Sequence, residues 1–179
     1  MMEKEKGFSL LELLTALAIS AVLLGVGGPA LLDTTRNARR TAALNELIRA
    51  IHAARSESVR TGKEVVLCAR PASGAGCGES GADWAAGWLA FVNEDRDRPA
   101  VPDAGETVLM ESAPREGATI SGNRGVFRFL PFNRRSTNGT LVYCDPRGEP
   151  AARALIISYT GRPRLSDRDA SGRAVRCRG

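Results

Sequence analysis

The feature that constrains this chain most is a predominantly apolar segment of 25 residues, from Phe8 to Leu32, in which Glu12 is the only charged side chain. A helix of that length crosses a hydrocarbon core of about 30 Å. A short charged leader, residues 1–7, precedes the segment and ends at Gly7. An ordinary secretory signal has the opposite order, with its cleavage site after the apolar run. The sequence therefore predicts a membrane helix that stays with the mature chain.

Glu12 is the unusual residue of this segment. A carboxylate within an apolar span costs about 3 kcal/mol, so it persists where it has a partner or a function. The alternative is that Glu12, which lies near the start of the helix, extends its carboxylate to the lipid headgroups. Both interpretations keep the segment in the membrane.

The next segment, residues 33–61, reads as an amphipathic continuation of the same helix, and Gly62 follows as a helix-ending residue. Its apolar side chains recur at helical spacing, which predicts a stripe packed on a sheet. The stripe consists of Leu44, Leu47, Ile48, Ile51, Ala54 and Val59.

In residues 62–179 the sequence pattern changes to short β-type runs separated by Gly, Pro, Asn and Asp. The candidate strands are 64–69, 87–92, 106–111, 118–121, 126–130, 139–144, 154–160 and 173–177. No helices alternate with these runs, so antiparallel pairing is favoured over a doubly wound sheet. The fold class predicted is α+β, with one long N-terminal helix packed on antiparallel sheet.

Charge is distributed unevenly along the chain. The formal net charge is +2 for residues 1–60, −5 for 61–121 and +8 for 122–179. The basic end carries Arg134, Arg135, Arg162, Arg164, Arg168, Arg173, Arg176 and Arg178. Clustered guanidinium groups suit phosphate oxygens and attract a polyanion without regard to sequence. The alternative is a solvated basic tail, which Asp167 and Asp169 dilute.

Two other groups of residues are weaker candidates for a functional site. The acidic run 93–97 offers oxygen ligands at short spacing, but Arg96 and Arg98 disfavour a cation, so a solvated turn is predicted. With one histidine, His52, and no recognisable nucleophile and base, the sequence predicts no enzyme, no cofactor and no bound metal.

The leader and Glu12 together resemble the class III signal of type IV prepilins. The resemblance implies that a prepilin peptidase cuts after Gly7 and methylates Phe8, and that Glu12 assists assembly by pairing with the terminal amine of a neighbouring pilin. It further implies a 1–7 leader, a filament-core helix half 8–32, an amphipathic half 33–61 and a periplasmic domain 62–179. The chain would sit in the inner membrane and reach the cell surface within a pilus.

The β-rich part is similar to the minor pilin and pseudopilin family that includes FimT, FimU and GspH. The similarity rests on three segments: 84–93 with its Gly87-Trp88 pair, 126–129, and 155–164. In FimT-like members linked to natural transformation, a Gly-Arg-x-Arg motif contacts DNA, and it matches Gly161 to Arg164. The resemblance implies a DNA-binding minor pilin. The alternatives are a structural tip or initiation pilin without DNA binding, and a type II secretion minor pseudopilin H.

The four cysteines, Cys68, Cys77, Cys144 and Cys177, are an even number in a domain expected outside the cytoplasm, where disulfides form. Three pairings are possible. We favour Cys68 with Cys77, which closes a short Gly-rich loop, and Cys144 with Cys177, which ties down the basic end. A zinc site is disfavoured because the chain has no CxxC pair.

Overall fold

The structure, a computed structural model, describes residues 7–71, 76–79, 81–131 and 135–177. The chain divides into two compact units, Met1–Thr41 and Ala42–Gly179. One helix, α1, covers Leu10–Thr61. It is long and apolar enough to cross a membrane, and none of its most apolar window is buried within the chain. Exposed leucines there indicate a surface made for a non-aqueous environment.

Within the residues that the structure describes, eight strands follow α1 and form two four-stranded antiparallel sheets. The strands are β1 Glu64–Ala69, β2 Trp88–Asn93, β3 Val108–Ser112, β4 Thr119–Gly122, β5 Val126–Phe129, β6 Gly139–Cys144, β7 Arg153–Ile157 and β8 Pro163–Ser166. The first sheet has the order β3-β2-β1-β5 and the second the order β4-β6-β7-β8. The antiparallel α+β prediction is confirmed.

The core of the second unit lies between the last turns of α1 and one face of each sheet. The helix contributes Leu44, Leu47, Ile51 and Ala54, all buried. The other buried members include Val65, Leu67, Trp84, Trp88, Phe127, Leu141, Leu155 and Ile157. The apolar stripe predicted for 33–61 therefore does pack on the sheets.

Val59, the last residue of the predicted stripe, is an exception. It is 43% exposed, and Ser58 takes the buried position instead. The Ser58 hydroxyl donates to the carbonyl oxygens of Lys63 at 2.8 Å and Phe129 at 3.0 Å. A buried polar group needs such partners. Position 58 follows Ile51 and Ala54 at helical spacing, so the prediction chose the wrong neighbour on polarity alone.

The predicted strand at 173–177 is wrong, and β8 at Pro163–Ser166 was not predicted. The chain reverses after Ile157 and pairs back along β7, with Ile157 opposite Pro163 and Leu155 opposite Leu165. Proline tolerates only an edge or first strand position, and Pro163 has both. Between residues 173 and 177 the structure has one isolated bridge, from Ala174 to Arg168.

Each sheet also has an outer face that a separate segment covers, and each segment is held by a disulfide. Cys68 bonds to Cys77 over the first sheet, and Cys144 bonds to Cys177 over the second. These are the pairs that the sequence analysis favoured. Val175, in the C-terminal segment, is buried against Ala154 and Ile156.

Candidate nucleic-acid interface

The turn between β7 and β8 is built by a glycine in the left-handed region. Gly161 has φ +69°, and its N–H donates to the Ser158 carbonyl at 2.8 Å. The Ser158 N–H donates to the Arg162 carbonyl at 3.1 Å, and the Arg162 N–H donates to the Ser158 hydroxyl at 3.2 Å. A Cβ on Gly161 would lie 3.1 Å from the Phe129 ring. Conformation and space together therefore require glycine at this position.

This turn presents Arg162 and Arg164 to solvent, because both side chains are exposed. Arg162 lies in the loop. Arg164 lies on the edge strand β8, opposite Ile156, which in turn lies opposite Thr140. Residues directly opposite in an antiparallel sheet share a face, so Arg164 is on the outer face of the second sheet. Within the described part of the chain, no carboxylate pairs with either guanidinium group.

Two more arginines lie beside this turn. The Arg135 guanidinium carbon is 5.6 Å from the centre of the Tyr159 ring, and the neighbouring Ser136 N–H donates to the Tyr159 carbonyl at 2.9 Å. Arg55 comes from α1, and its Cδ would lie 3.3 Å from a Cβ on Gly161. Arg134 lies outside the described residues, as does Arg178.

Sequence reasoning missed Arg55 and Tyr159. Arg55 is on the polar side of an amphipathic helix, which identifies it only as a residue outside the apolar stripe. Its proximity to the turn depends on how the β7–β8 hairpin packs on α1. The only signal for Tyr159 was its position two residues before Gly161, in a segment expected to form a strand.

The remaining predicted arginines, Arg168, Arg173 and Arg176, lie in the C-terminal segment. Arg168 donates from Nη1 to the Gly172 carbonyl at 3.0 Å, and Arg173 donates from Nε to Asp169 Oδ2 at 3.0 Å. Arg176 is exposed and has no ion-pair partner among the described residues. Two of the three therefore already have partners, so this segment is less available to an anion than the turn.

Asp169 organises this segment. Its Oδ1 accepts hydrogen bonds from the Ser171 hydroxyl at 2.7 Å, the Ser171 N–H at 2.8 Å and the Arg173 N–H at 3.0 Å. These bonds, the Ser171 hydroxyl first and then the Arg173 amide, lower the pKa of Asp169 well below its ordinary value. Asp169 is thus a fixed negative charge beside Arg173 at neutral pH.

An open groove of about 930 Å³ lies between this segment and the outer face of the second sheet. Its wall includes Asn123 and Thr140 on one side, and Asp169, Arg173 and Arg176 on the other. Asn123 Oδ1 accepts from the Thr140 N–H at 2.9 Å, which holds the polar rim in place. The groove brings the C-terminal arginines to the same face as Arg164.

The acidic turn after β2 uses its carboxylates within the protein. Asp97 accepts from the Asn93 side-chain amide at 3.0 Å and from the Val101 N–H at 2.9 Å. The Asp95 carboxylate accepts from the Asp97 N–H at 3.1 Å. Among the described residues, no three His, Cys, Asp or Glu side chains are grouped to hold a metal ion.

The predicted processing and assembly residues belong to the first unit. Gly7 and Phe8 precede α1, and Glu12 lies in its first turn. All three are exposed.

Comparison with known proteins identifies two regions. The family model of type II transport protein GspH matches residues 43–161, and the prokaryotic N-terminal methylation motif matches residues 2–28. The GspH match stops at Gly161, so Arg162 and Arg164 lie beyond it. No curated protein matches the chain significantly.

Two crystal structures of the type IV minor pilin FimU from Pseudomonas aeruginosa are similar to this chain, each at 21% sequence identity. The structure in space group P65 covers 70% of this chain and 91% of its own, with a TM-score of 0.50. The one in space group P21 covers 74% and 92%, with a TM-score of 0.53. At this identity the likeness shows a shared fold.

Proposed function

The chain belongs to the GspH family of pilin-like proteins, and we propose that it is a minor pilin of a type IV pilus that binds DNA without sequence specificity for uptake in natural transformation. The observation that carries this proposal is the β7–β8 turn. It carries the exposed Arg162 and leads to Arg164 on β8, with Arg55 and Arg135 beside it, and none of these four has a carboxylate partner within the described residues.

Unpaired guanidinium groups at one site favour an anionic ligand with several charges. A guanidinium that already has a carboxylate partner gains little from a phosphate, whereas a free one gains a charge-assisted hydrogen bond. Arg164 is on the outer face of the second sheet, whereas Arg55 comes from the helix that packs on the inner face, so the four side chains are spread around the hairpin and do not line a pocket. A surface of that kind suits a phosphate backbone, which positions the nucleic acid without reading its bases.

The N-terminal methylation motif supports a second part of the proposal, which concerns processing. We propose that a prepilin peptidase cuts between Gly7 and Phe8, and that Glu12 pairs with the terminal amine of a neighbouring pilin. The chain is then anchored in the inner membrane, with its C-terminal domain in the periplasm. Intact-mass measurement of membrane fractions should find a chain that begins at methylated Phe8. Detection of the full-length chain alone would contradict this.

DNA binding is tested with the full-length chain in a neutral detergent and duplexes of unrelated sequence over a salt series. Changing Arg162→Gln together with Arg164→Gln should weaken binding equally for all duplexes. Each lost phosphate contact removes about 0.9 from the slope of log affinity against log salt, so the slope should fall by up to about 2.

The matched control is Arg70→Gln with Arg115→Gln. It removes the same charge from arginines that pair with Glu111 and Glu46. The slope should stay unchanged in this variant, because these guanidinium groups already have carboxylate partners. If both double variants lose the same slope, net charge and not the turn is responsible, and the site assignment is wrong.

The second candidate is a purely structural subunit, either a tip or initiation minor pilin or the minor pseudopilin H of type II secretion. The name of the matching family model, a type II transport protein, favours it. A wild-type chain without measurable DNA binding at low salt would leave this candidate. Identifying the pilins that co-purify with the chain then separates a pilus from a secretion system.

A further inference from the structure

Tyr159 is an exposed aromatic side chain in the β7–β8 turn, beside the arginines described above. It is 54% exposed, whereas the other aromatic side chains described between residues 42 and 177 are buried. An exposed ring is ordinary by itself. The position of this ring is unusual, because Arg162 follows three residues later and Arg135 lies over the ring.

The ring is held on a fixed platform. The Tyr159 carbonyl accepts from the Ser136 N–H at 2.9 Å, which connects the turn to the loop that carries Arg135. The three hydrogen bonds among Ser158, Gly161 and Arg162 fix the turn itself. The Ser136 bond uses the main chain of Tyr159, so it does not occupy the ring, which contacts Arg135 and remains 54% exposed.

A tyrosine ring with a guanidinium over it provides flat surfaces for stacking. Bases in a duplex already stack on one another. An intact duplex therefore offers the ring no free base face and brings only phosphates near it. An unpaired base has a free face, and stacking on an aromatic ring or on an arginine is tolerant of sequence because every base has such a face. This tolerance agrees with binding that does not read sequence.

We propose, on the basis of the DNA-binding function above, that the Tyr159 ring, which has Arg135 over one face, stacks on an unpaired base with its other face, and that the site therefore recognises single-stranded DNA. Arg162 and Arg164 hold the flanking phosphates. The ring makes binding tighter for a strand with accessible bases than for a strand that has the same number of phosphates and no bases.

The test measures the affinity of the full-length chain in neutral detergent for three probes: a single strand, the same strand with abasic residues, and the duplex. Tyr159→Leu keeps an apolar side chain and removes the aromatic face. It should weaken binding of the intact single strand about 5- to 150-fold, the range expected for one stacked base. Binding of the abasic strand and of the duplex should stay unchanged.

Tyr159→Phe is the matched control and should bind all three probes like the wild type. A single strand that carries 2-aminopurine adds a direct readout. Its fluorescence should change on binding to the wild type and the Phe variant through stacking, and not on binding to the Leu variant.

Three results would overturn the proposal. Equal loss for all probes in Tyr159→Leu would mean that the ring only shapes the turn. No loss for the intact strand would mean that no base stacks there. In both cases duplex binding by the wild type would leave the DNA-binding function standing. Failure of the wild type to bind any probe would remove both.

Discussion

The outer faces of the two sheets have the same construction and differ in how some of their arginines are paired. Each sheet turns one face to the shared core and has the other covered by a segment that a disulfide holds. On the first sheet, Glu64 has a side chain only 3% exposed and pairs with both Arg98 and Arg128 at 3.0 Å. On the second, Arg164 is exposed and has no carboxylate partner among the described residues.

The difference teaches that an arginine count does not identify a binding surface. A guanidinium beside a buried carboxylate neutralises that carboxylate, and removing either partner destabilises the fold. A guanidinium on an edge strand or a turn, with its nearest carboxylates elsewhere, keeps its charge for a ligand. The acidic middle third of the chain supplies carboxylates to the first sheet, and the basic last third has few to supply to the second.

The largest expected effect separates the two disulfides. Replacing Cys144 and Cys177 with alanine opens a loop with a sequence separation of 33 and should cost about 3.8 kcal/mol in the chain-entropy model. The Cys68 and Cys77 pair, with a separation of 9, should cost about 2.7 kcal/mol. Urea unfolding of residues 35–179 measures both losses.

Only the Cys144 and Cys177 change should also alter DNA binding, because it releases the segment that carries Arg173 and Arg176 over the second sheet. The Cys68 and Cys77 variant is the control for general loss of stability. Equal loss of DNA affinity in the two variants would show that the comparison between the sheets has no functional meaning.

Much of this arrangement could be predicted from the sequence. The apolar segment, the stripe around Leu47 and Ile51, and the short β-type runs at 64–69 and 139–144 are local patterns, and local patterns carry secondary structure well. The observed cysteine pairing is the favoured one of three possibilities, preferred for the loops that it closes. The candidate strand 154–160 ends before Gly161 because glycine and proline mark turns by their backbone chemistry, and β7 in fact ends at Ile157.

The rest depends on packing between distant segments. Glu64 is the first residue of β1 and looks like a solvated strand end, yet it is buried because Arg98 and Arg128 approach it from 34 and 64 residues away. Arg55 reaches the turn only because the hairpin packs beside α1. Strand β8 escaped prediction because Pro163 and Arg164 have low strand propensity, and its pairing with β7 overrides that preference.

A smaller effect should follow from removing the buried carboxylate of the first sheet. Glu64→Gln leaves Arg128, whose side chain is 20% exposed, without its ion pair and should cost about 3 kcal/mol. That is the lower end of the range for a broken buried pair, because Arg98 is 50% exposed and regains water. Urea unfolding of residues 35–179 measures the loss.

Glu94→Gln is the control for this prediction. Glu94 pairs with Lys63 at 2.7 Å, and both side chains are about half exposed. Exposed pairs contribute about 0–1 kcal/mol, so this variant should unfold almost like the wild type. If the two variants lose the same stability, burial does not distinguish the arginines of the first sheet, and the contrast with the second sheet fails.

The smallest expected effect comes from Asp169→Asn, which should leave one more arginine unpaired on the outer face of the second sheet and so increase its difference from the first. The change removes the negative charge that holds Arg173, so Arg173 becomes available to a phosphate. The slope of log DNA affinity against log salt should steepen by up to about 0.9, one phosphate contact. Asp167→Asn is the control, since it removes an equal charge from an exposed side chain without an ion-pair partner among the described residues.

The same variant has a pH dependence with a definite sign. Because hydrogen bonds lower the pKa of Asp169 in the folded chain, the ionised group stabilises the fold above its unfolded pKa of about 3.9. That stabilisation is lost as the pH falls through the lower folded value. Wild type should therefore be more stable than Asp169→Asn at neutral pH, and the difference should shrink below about pH 4. Urea unfolding at neutral pH and below about pH 4 measures the difference in stability. A difference that grows on acidification would refute the assigned role of Asp169.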